Sequence, residues 1–226
     1  ALRYTLISGS SPGNDQRLSE QRLEAGRNFA NKLWNASRFA LSLVEAGDDL
    51  TLPAPSAVTT VEDRWILSRV ERVAGSANEL LGKFELGEAM RQVRDFFWDE
   101  FADWYIELAK VRIRAGDRTP LPVLVHVLDT TLRLLHPCMP FITEEIWQRM
   151  ASVRPADAPG LIVAAFPAGD ATWLDDGAER TMLALQEFVR GVRNIRAEKR
   201  VDAGRWVEAY IVGGEAAAAA RGAQAA

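Results

Sequence analysis

The sequence predicts a mainly α-helical protein, in which an antiparallel helix bundle is followed by a small α/β unit. Apolar residues recur at helical spacing through most of residues 22–150, and Pro and Gly residues separate these segments. After residue 160, two short apolar segments flank one further helical pattern. With 226 residues, of which 48% are hydrophobic, the chain can bury a core in one large or two small domains.

The first long helix is predicted at residues 22–45, with Ser19 as its N-cap and Gly47 as its stop. A projection at about 100° per residue separates an apolar face from a polar face. The predicted core face comprises Leu23, Ala30, Leu33, Ser37, Ala40, Leu41 and Val44.

Further helices are predicted from the spacing of apolar residues and from their start and stop signals. They cover residues 60–82, 85–111, 119–135, 143–150 and 176–200. Thr60 and Asp63 resemble a capping box, and Pro120 suits a first helical position. The segments LIVAAF at 161–166 and WVEAYIV at 206–212 are predicted strands, which with the helix between them form the α/β unit.

Composition argues against several classes of protein. The net charge is −4, so an RNA contact has to come from a local patch. Cys138 is the only cysteine, which leaves no intramolecular disulfide or cysteine metal cluster, as expected in a reducing cytosol. No apolar segment approaches the ~20 residues of a membrane helix, so the sequence predicts a soluble protein. The opening at Ala1, without an initiator Met, suggests a piece of a longer chain.

An acidic group in the third predicted helix invites a catalytic interpretation. It consists of Asp95, Asp99, Glu100, Asp103 and Glu107. No metal ligand or nucleophile lies nearby in sequence, so we interpret these acids as a solvated face that pairs with arginines of adjacent helices. His126 and His136 are likewise interpreted as structural, because no motif joins either to a carboxylate and a nucleophile.

The polar face of the first long helix carries the strongest candidate for a binding site. It presents Asn28, Asn31, Lys32, Asn35 and Phe39. Amides suit base edges and sugar hydroxyls, an ammonium suits phosphate, and an exposed ring offers a stacking surface to an unpaired base. This combination predicts a reader of single-stranded RNA; the alternative is that the polar residues are solvated and Phe39 packs beneath a neighbouring loop.

The last predicted helix carries a local basic cluster. Arg193, Arg196 and Arg200 follow one another at helical spacing, with Arg190 and Lys199 beside them. Such a cluster can hold a phosphate backbone. The alternative is a solvated helix flank.

Four segments resemble one enzyme family. RNFANKLWNASRF (27–39) resembles the junction in valyl-tRNA synthetases at which the class I catalytic domain leads into the anticodon-binding region, and VRNIRAEKRV (192–201) resembles a segment of the same valyl family. FADWYIELAK (101–110) and LLHPCMPFITEEIWQ (134–148) resemble motifs that valyl, isoleucyl, leucyl and methionyl enzymes share. Cys138 departs from the bulkier residue that is usual at that position, which affects core packing rather than function.

The resemblance implies the anticodon-binding domain of a class I synthetase. It assigns residues 1–20 to the end of a connection from the catalytic domain, 21–150 to the bundle, 155–212 to a small α/β subdomain and 213–226 to a low-complexity tail, a candidate start of a truncated coiled coil. The family joins valine to tRNA(Val) with ATP in the cytoplasm. The nucleotide-binding signatures are absent from this chain, so the fragment alone is expected to be inactive and to need no cofactor.

Within this resemblance, the helix projection suggests a role for each candidate residue. Phe39 would stack on an anticodon base, and the three asparagines would read base edges or sugars. Arg27, Lys32 and Arg38 would neutralise phosphate, with Arg193, Arg196 and Arg200 as a second contact. The expected partners are tRNA(Val) and the catalytic and editing domains of the same longer chain, without a membrane. The alternatives are the same module of an isoleucyl or leucyl enzyme, or a helical protein–protein scaffold.

Overall fold

The structure is a computed structural model that describes residues 1–8, 17–154, 157–202 and 204–208. Its helices are α1 (Leu2–Ile7), α2 (Glu20–Ser42), α3 (Val61–Gly82), α4 (Leu86–Asp95), a π-helical segment (Phe96–Tyr105), α5 (Ile106–Arg114), α6 (Pro120–Leu135), α7 (Pro140–Arg149) and α8 (Asp176–Glu198). Single 3-10 turns lie at Pro55–Ala57, Leu161–Val163 and Ala171–Trp173. The chain divides into two compact units, Ala1–Leu174 and Asp175–Ala226. The predicted domain limits stay predictions.

Helix α2 begins where its capping residue predicts. The Ser19 hydroxyl accepts a hydrogen bond from the Arg22 backbone N–H at 3.3 Å, which satisfies one of the unpaired donors of the first turn. The helix ends at Ser42, earlier than the predicted 45, and Gly47 adopts a φ of 99° in the turn that follows.

The third predicted helix is a single helical rod made of α4, the π segment and α5. Phe97, Phe101 and Tyr105 are fully buried along the π segment, and their ring centroids follow one another at 5.6 and 6.2 Å. The rod packs against α1, α2, α3 and α6. An i→i+5 pattern within a continuous apolar face leaves no sequence signal that distinguishes it from an α-helix.

The predicted strand at 161–166 is wrong. Residues 161–163 form a 3-10 turn and residues 164–166 are irregular. Side chains of the bundle replace a partner strand: an Nη of Arg133 donates to the Ala165 carbonyl at 3.2 Å, and the Asn78 amide donates to the Pro167 carbonyl. A short apolar segment can form either a strand or an irregular segment. Its backbone N–H and C=O groups need hydrogen-bond partners, but side chains can supply them as well as a neighbouring strand.

The second unit contains α8. The Asp175 side chain caps it by accepting from the Ala178 N–H at 2.8 Å, and the helix ends at Glu198, close to the predicted limit. The predicted strand at 206–212 is not formed at 206–208, and residues 209–212 lie outside the described residues. An α/β unit is therefore not present in the described part of this unit.

Candidate nucleic-acid interface

The exposed face of α2 carries a row of amides. Asn28, Asn31 and Asn35 are all exposed, and their spacing of three and four residues places them on one stripe of the helix. None of the three makes a side-chain hydrogen bond to another described residue, so their donors and acceptors face solvent.

The opposite face of α2 fixes this orientation. Phe29 and Leu33 are almost completely buried, and the Phe29 ring lies 5.0 Å from the ring of Tyr4 and 6.2 Å from that of Phe97. Burial raises the pKa of Tyr4 to about 12. The helix projection missed Phe29 as a core residue, because Ala30 next to it fits the predicted stripe equally well.

Gly26 explains how α1 approaches the same face of α2. A Cβ atom at this position would lie 2.3 Å from Thr5 Oγ1, so any larger residue would force Thr5 to move. The close contact holds Tyr4 against Phe29. A glycine has no apolar side chain, so the spacing of apolar residues does not indicate this contact.

Lys32 lies at one edge of the amide stripe and is half-buried. Its Nζ atom is 2.5 Å from Asp103 Oδ1 and 5.4 Å from the ring centroid of Trp98. The carboxylate partly compensates the charge that a phosphate would meet, and the ring restricts the side chain. Lys32 is thus a positioned cation at the edge of the stripe, and its ion pair joins α2 to the π segment.

Phe39 lies on the same side of α2 as Lys32, and 37% of its surface is exposed. The Nζ atom of Lys110 on α5 lies 5.7 Å from the Phe39 ring centroid and also pairs with Glu107. The ring is therefore neither in the bundle interior nor isolated in solvent. Lys110 was missed by the sequence analysis, because only the packing of α5 beside α2 brings it to Phe39.

The arginines of α2 differ in their surroundings. Arg27 pairs with Glu24 at 3.2 Å, an exposed pair within one helix. Arg38 is exposed and has no ion-pair or hydrogen-bond partner among the described residues. At the flank of α2 near Arg38, the guanidinium of Arg149 lies 4.9 Å from the Trp34 ring centroid, so a cation of α7 lies beside α2. Arg149 and Trp34 are far apart in the sequence, so residue spacing alone could not predict their contact.

The basic cluster of α8 is not a uniform cationic flank. Arg193 and Arg200 are exposed, whereas Arg196 is half-buried and its guanidinium donates to the carbonyl oxygens of Asp202 at 2.6 Å and Arg205 at 3.1 Å. Arg196 therefore braces the end of α8. Arg200 adopts a φ of 52°, the left-handed conformation of a helix C-terminus.

The acidic group of the rod forms ion pairs and makes no catalytic constellation. Arg69 of α3 holds Glu100 through two hydrogen bonds of 2.7 and 2.9 Å, and Asp103 and Glu107 pair with lysines as described above. Within the described ranges, no three His, Cys, Asp or Glu side chains are grouped as a metal ion would require. No helix among the described residues combines the length and apolar character needed to cross a bilayer.

The two histidines have structural partners. His126 Nε2 lies 3.2 Å from Glu71 Oε1, and His136 Nδ1 lies 2.8 Å from Thr143 Oγ1. Burial lowers the pKa of His136. The Thr143 hydroxyl that contacts His136 is buried and donates to the Met139 carbonyl at 3.0 Å, so this contact belongs to the packing of α7.

A helix bundle of this kind is found in class I tRNA ligases. The chain is similar to a LeuRS from Agrobacterium radiobacter K84, solved as a ternary complex with tRNA and LeuAMS, with a TM-score of 0.57 at 14% identity. The similarity covers 94% of this chain and 27% of that one, and it establishes the fold. Residues 63–211 match the family model of the anticodon-binding domain of tRNA ligase, and the chain belongs to this family.

Valine–tRNA ligases are among the curated relatives of this chain. The protein from Dehalococcoides mccartyi (strain CBDB1) is 50% identical over 220 residues, which is 96% of this chain and 25% of the relative. Those from Carboxydothermus hydrogenoformans and Bacillus subtilis are 44% and 43% identical, and each alignment covers 24% of the relative. The chain thus spans about a quarter of the length of these relatives. The resemblance to valyl-tRNA synthetases is confirmed, and an isoleucyl or leucyl origin is less supported.

Proposed function

We propose that this chain is the anticodon-binding part of a valine–tRNA ligase and that it binds the anticodon arm of tRNA(Val) through the exposed face of α2. The observation that carries the proposal is the solvent-facing row of Asn28, Asn31 and Asn35, with Phe39 and Arg38 at its end. Similarity to valine–tRNA ligases supports valine as the amino acid. ATP-dependent ligation belongs to the longer protein, whose catalytic and editing domains are partners of this part, and binding by this chain needs no cofactor.

Each side-chain type on the stripe matches one part of an RNA loop. Loop bases can unstack and expose their edges, which the amides of Asn28, Asn31 and Asn35 can hydrogen-bond. The partly exposed ring of Phe39 offers a face for one unstacked base, and base–aromatic stacking is worth about 1–3 kcal/mol. The face therefore combines reading of base edges with a stacking site.

The cations around the stripe supply the contacts with the phosphate backbone. Arg38 carries no ion pair that a phosphate would have to break. Lys32, Arg27 and Lys110 each pair with a carboxylate. On RNA binding, each of these cations would exchange its carboxylate for a phosphate. We expect Arg38 to contribute more to affinity than the paired cations.

The proposal also includes Arg193 and Arg200 of α8, which would form a second cationic contact with the RNA. Docking of the anticodon arm would hold the tRNA while its acceptor end is charged by the catalytic domain. A cytoplasmic location belongs to the same proposal, since it follows from the resemblance to enzymes that charge cytoplasmic tRNA.

The test is a titration of the purified chain with fluorescently labelled anticodon stem-loops of valine, isoleucine and leucine tRNAs. We expect the valine stem-loop to bind best, and its affinity to fall by an order of magnitude or more between about 50 and 200 mM salt. Equal affinity for all three stem-loops would overturn the assignment to valine. A scaffold without RNA function would show neither sequence preference nor a steep dependence on salt.

A further inference from the structure

The segment that follows α8 exposes an aromatic side chain to an unusual degree. Trp206 is 97% exposed, more than any other large hydrophobic residue among those described. An indole in this state leaves a large apolar surface in water, so it is a candidate for contact with a binding partner.

The backbone that presents Trp206 is held in place. Helix α8 ends with paired hydrogen bonds from Arg200 N to Ala197 O at 3.0 Å and from Val201 N to Arg196 O at 2.9 Å, the pattern of a Schellman motif. Arg196 then binds the carbonyl of Arg205, the residue immediately before Trp206, at 3.1 Å. The backbone carbonyls of Asp202 and Arg205 are therefore both tied to the Arg196 guanidinium, close to the indole.

The charge around this turn has the opposite sign to that of the whole chain. Residues 190–208 contain six Arg or Lys and three Asp or Glu, whereas the chain carries a net charge of −4. Arg200 and Arg205 are both exposed. An exposed ring between cations is the combination with which proteins hold single-stranded nucleic acid.

We propose that Trp206 stacks on an unpaired nucleotide of the bound RNA and that Arg200 and Arg205 contact the phosphates on either side of it. Arg196 acts as a positioning residue, because its two hydrogen bonds to carbonyl oxygens fix the turn. This inference rests on the proposed function in so far as the partner is RNA. It adds a stacking site that the α2 stripe does not contain.

The test follows Trp206 itself. The full chain labelled with 5-fluorotryptophan has seven indole signals in its fluorine NMR spectrum, and the signal missing from Trp206→Phe identifies residue 206. On titration with single-stranded oligoadenylate, the Trp206 signal should shift and saturate. In Trp206→Ala, the affinity for oligoadenylate should fall at least about fivefold, and Trp206→Phe should retain most of it.

Two variants separate direct contact from positioning. Arg205→Ala should weaken oligoadenylate binding and also reduce its dependence on salt, since a phosphate contact is removed. Arg196→Lys retains the charge but not the planar guanidinium that reaches two carbonyls. It should weaken binding with an unchanged salt dependence, whereas unchanged affinity would show that Arg196 does not position the turn.

The matched control is Phe141→Ala, which removes another exposed ring, 85% exposed, located next to acidic residues of α7. This variant should bind oligoadenylate as the unmodified chain does. A Trp206 signal that neither oligoadenylate nor a tRNA(Val) transcript shifts would overturn this site. The α2 site would still be tested independently, by the sensitivity of stem-loop binding to Phe39→Ala.

Discussion

Phe39 is the residue on which the proposed recognition of RNA by α2 depends most directly. Its side chain is partly exposed, and the Lys110 ammonium lies 5.7 Å from the ring centroid. A cation near one face of the ring leaves the exposed part accessible to a base. Because the side chain is only partly buried, its removal should cost the fold little.

Phe39→Ala should weaken binding of the valine anticodon stem-loop by about tenfold or more, because the stacking partner is lost. Fluorescence anisotropy at constant salt gives the Kd. Phe141→Ala is the control, since it truncates an exposed ring on a different helix and should leave the Kd unchanged. An unchanged Kd in Phe39→Ala would remove Phe39 from the interface.

Cys138 illustrates a residue whose chemistry is suppressed by its position. The thiol is buried, and burial raises its pKa to about 11. At pH 8 only a very small fraction is thiolate, the form that reacts. We expect iodoacetamide to label the folded chain far more slowly than the chain in urea, as measured by mass spectrometry. Equal labelling rates would show that the thiol is accessible in the folded state.

At the scale of single residues, exposure was easier to predict than burial. The asparagines of α2 face solvent as the helix projection indicates, because a stripe of amides has no apolar surface to bury. Phe29 was missed and Leu23 is only half-buried, because the path of the neighbouring α1 decides which side of the apolar arc is covered. The binding roles of these residues stay predictions.

At the scale of elements, a buried polar network joins α3 to the helical rod. Asp63 of α3 accepts hydrogen bonds from the Tyr105 hydroxyl at 2.6 Å, from Arg112 of α5 at 2.8 Å and from Thr60 at 2.6 Å. The sequence predicted a capping box from Thr60 and Asp63, but the Thr60 hydroxyl binds the carboxylate and caps no backbone N–H. The Thr60–Asp63 pattern therefore predicts the start of α3 correctly, although these two side chains bond to each other and to the rod instead of capping the helix.

Tyr105 makes the stability of this network depend on pH. Burial and the neighbouring Asp63 raise the pKa of Tyr105 well above 10, so the folded chain keeps the phenol neutral where the unfolded chain ionises it. The unfolded state loses protons as pH rises above about 10, and the free energy of unfolding must fall there. Below this pH, the contribution of Tyr105 is fully present.

Tyr105→Phe should therefore lower the free energy of unfolding by about 1 kcal/mol near pH 8, because one hydrogen bond to a buried carboxylate is lost. The difference between the two proteins should narrow as pH rises from about 9 to 11, since only tyrosine at position 105 can ionise on unfolding. Urea denaturation followed by circular dichroism measures both. A difference that is constant across this range would contradict the linkage.

At the scale of the whole molecule, helices were predictable and connections were not. The ends of α3, α6 and α8 lie close to the predicted ones, because caps, prolines and helical spacing are local properties of the sequence. The segment at 161–166 was predicted incorrectly, because its backbone is satisfied by Arg133 and Asn78 from distant parts of the chain. Neither contact has a signature in the local pattern.

Further long-range contacts hold residues 157–174 against the bundle. Glu71 Oε2 accepts a hydrogen bond from the Asp170 N–H at 2.9 Å, while its other oxygen lies 3.2 Å from His126. Beside it, Gly169 has a φ of 83° and packs directly on the backbone of α3. A Cβ atom at Gly169 would lie 2.8 Å from both the Glu71 carbonyl oxygen and the Gly75 nitrogen.

Gly169→Ala should lower the free energy of unfolding by more than about 2 kcal/mol, because it adds a clash with helix backbone to the cost of a positive φ. Gly47→Ala is the matched control: Gly47 also has a positive φ, but no atom lies within 4 Å of the position of its Cβ, so about 1 kcal/mol is expected. Urea denaturation measures both losses, and hydrogen exchange at Asp170 shows whether the segment has detached. Equal losses would mean that residues 157–174 shift without resistance and that Gly169 is required only for its backbone conformation.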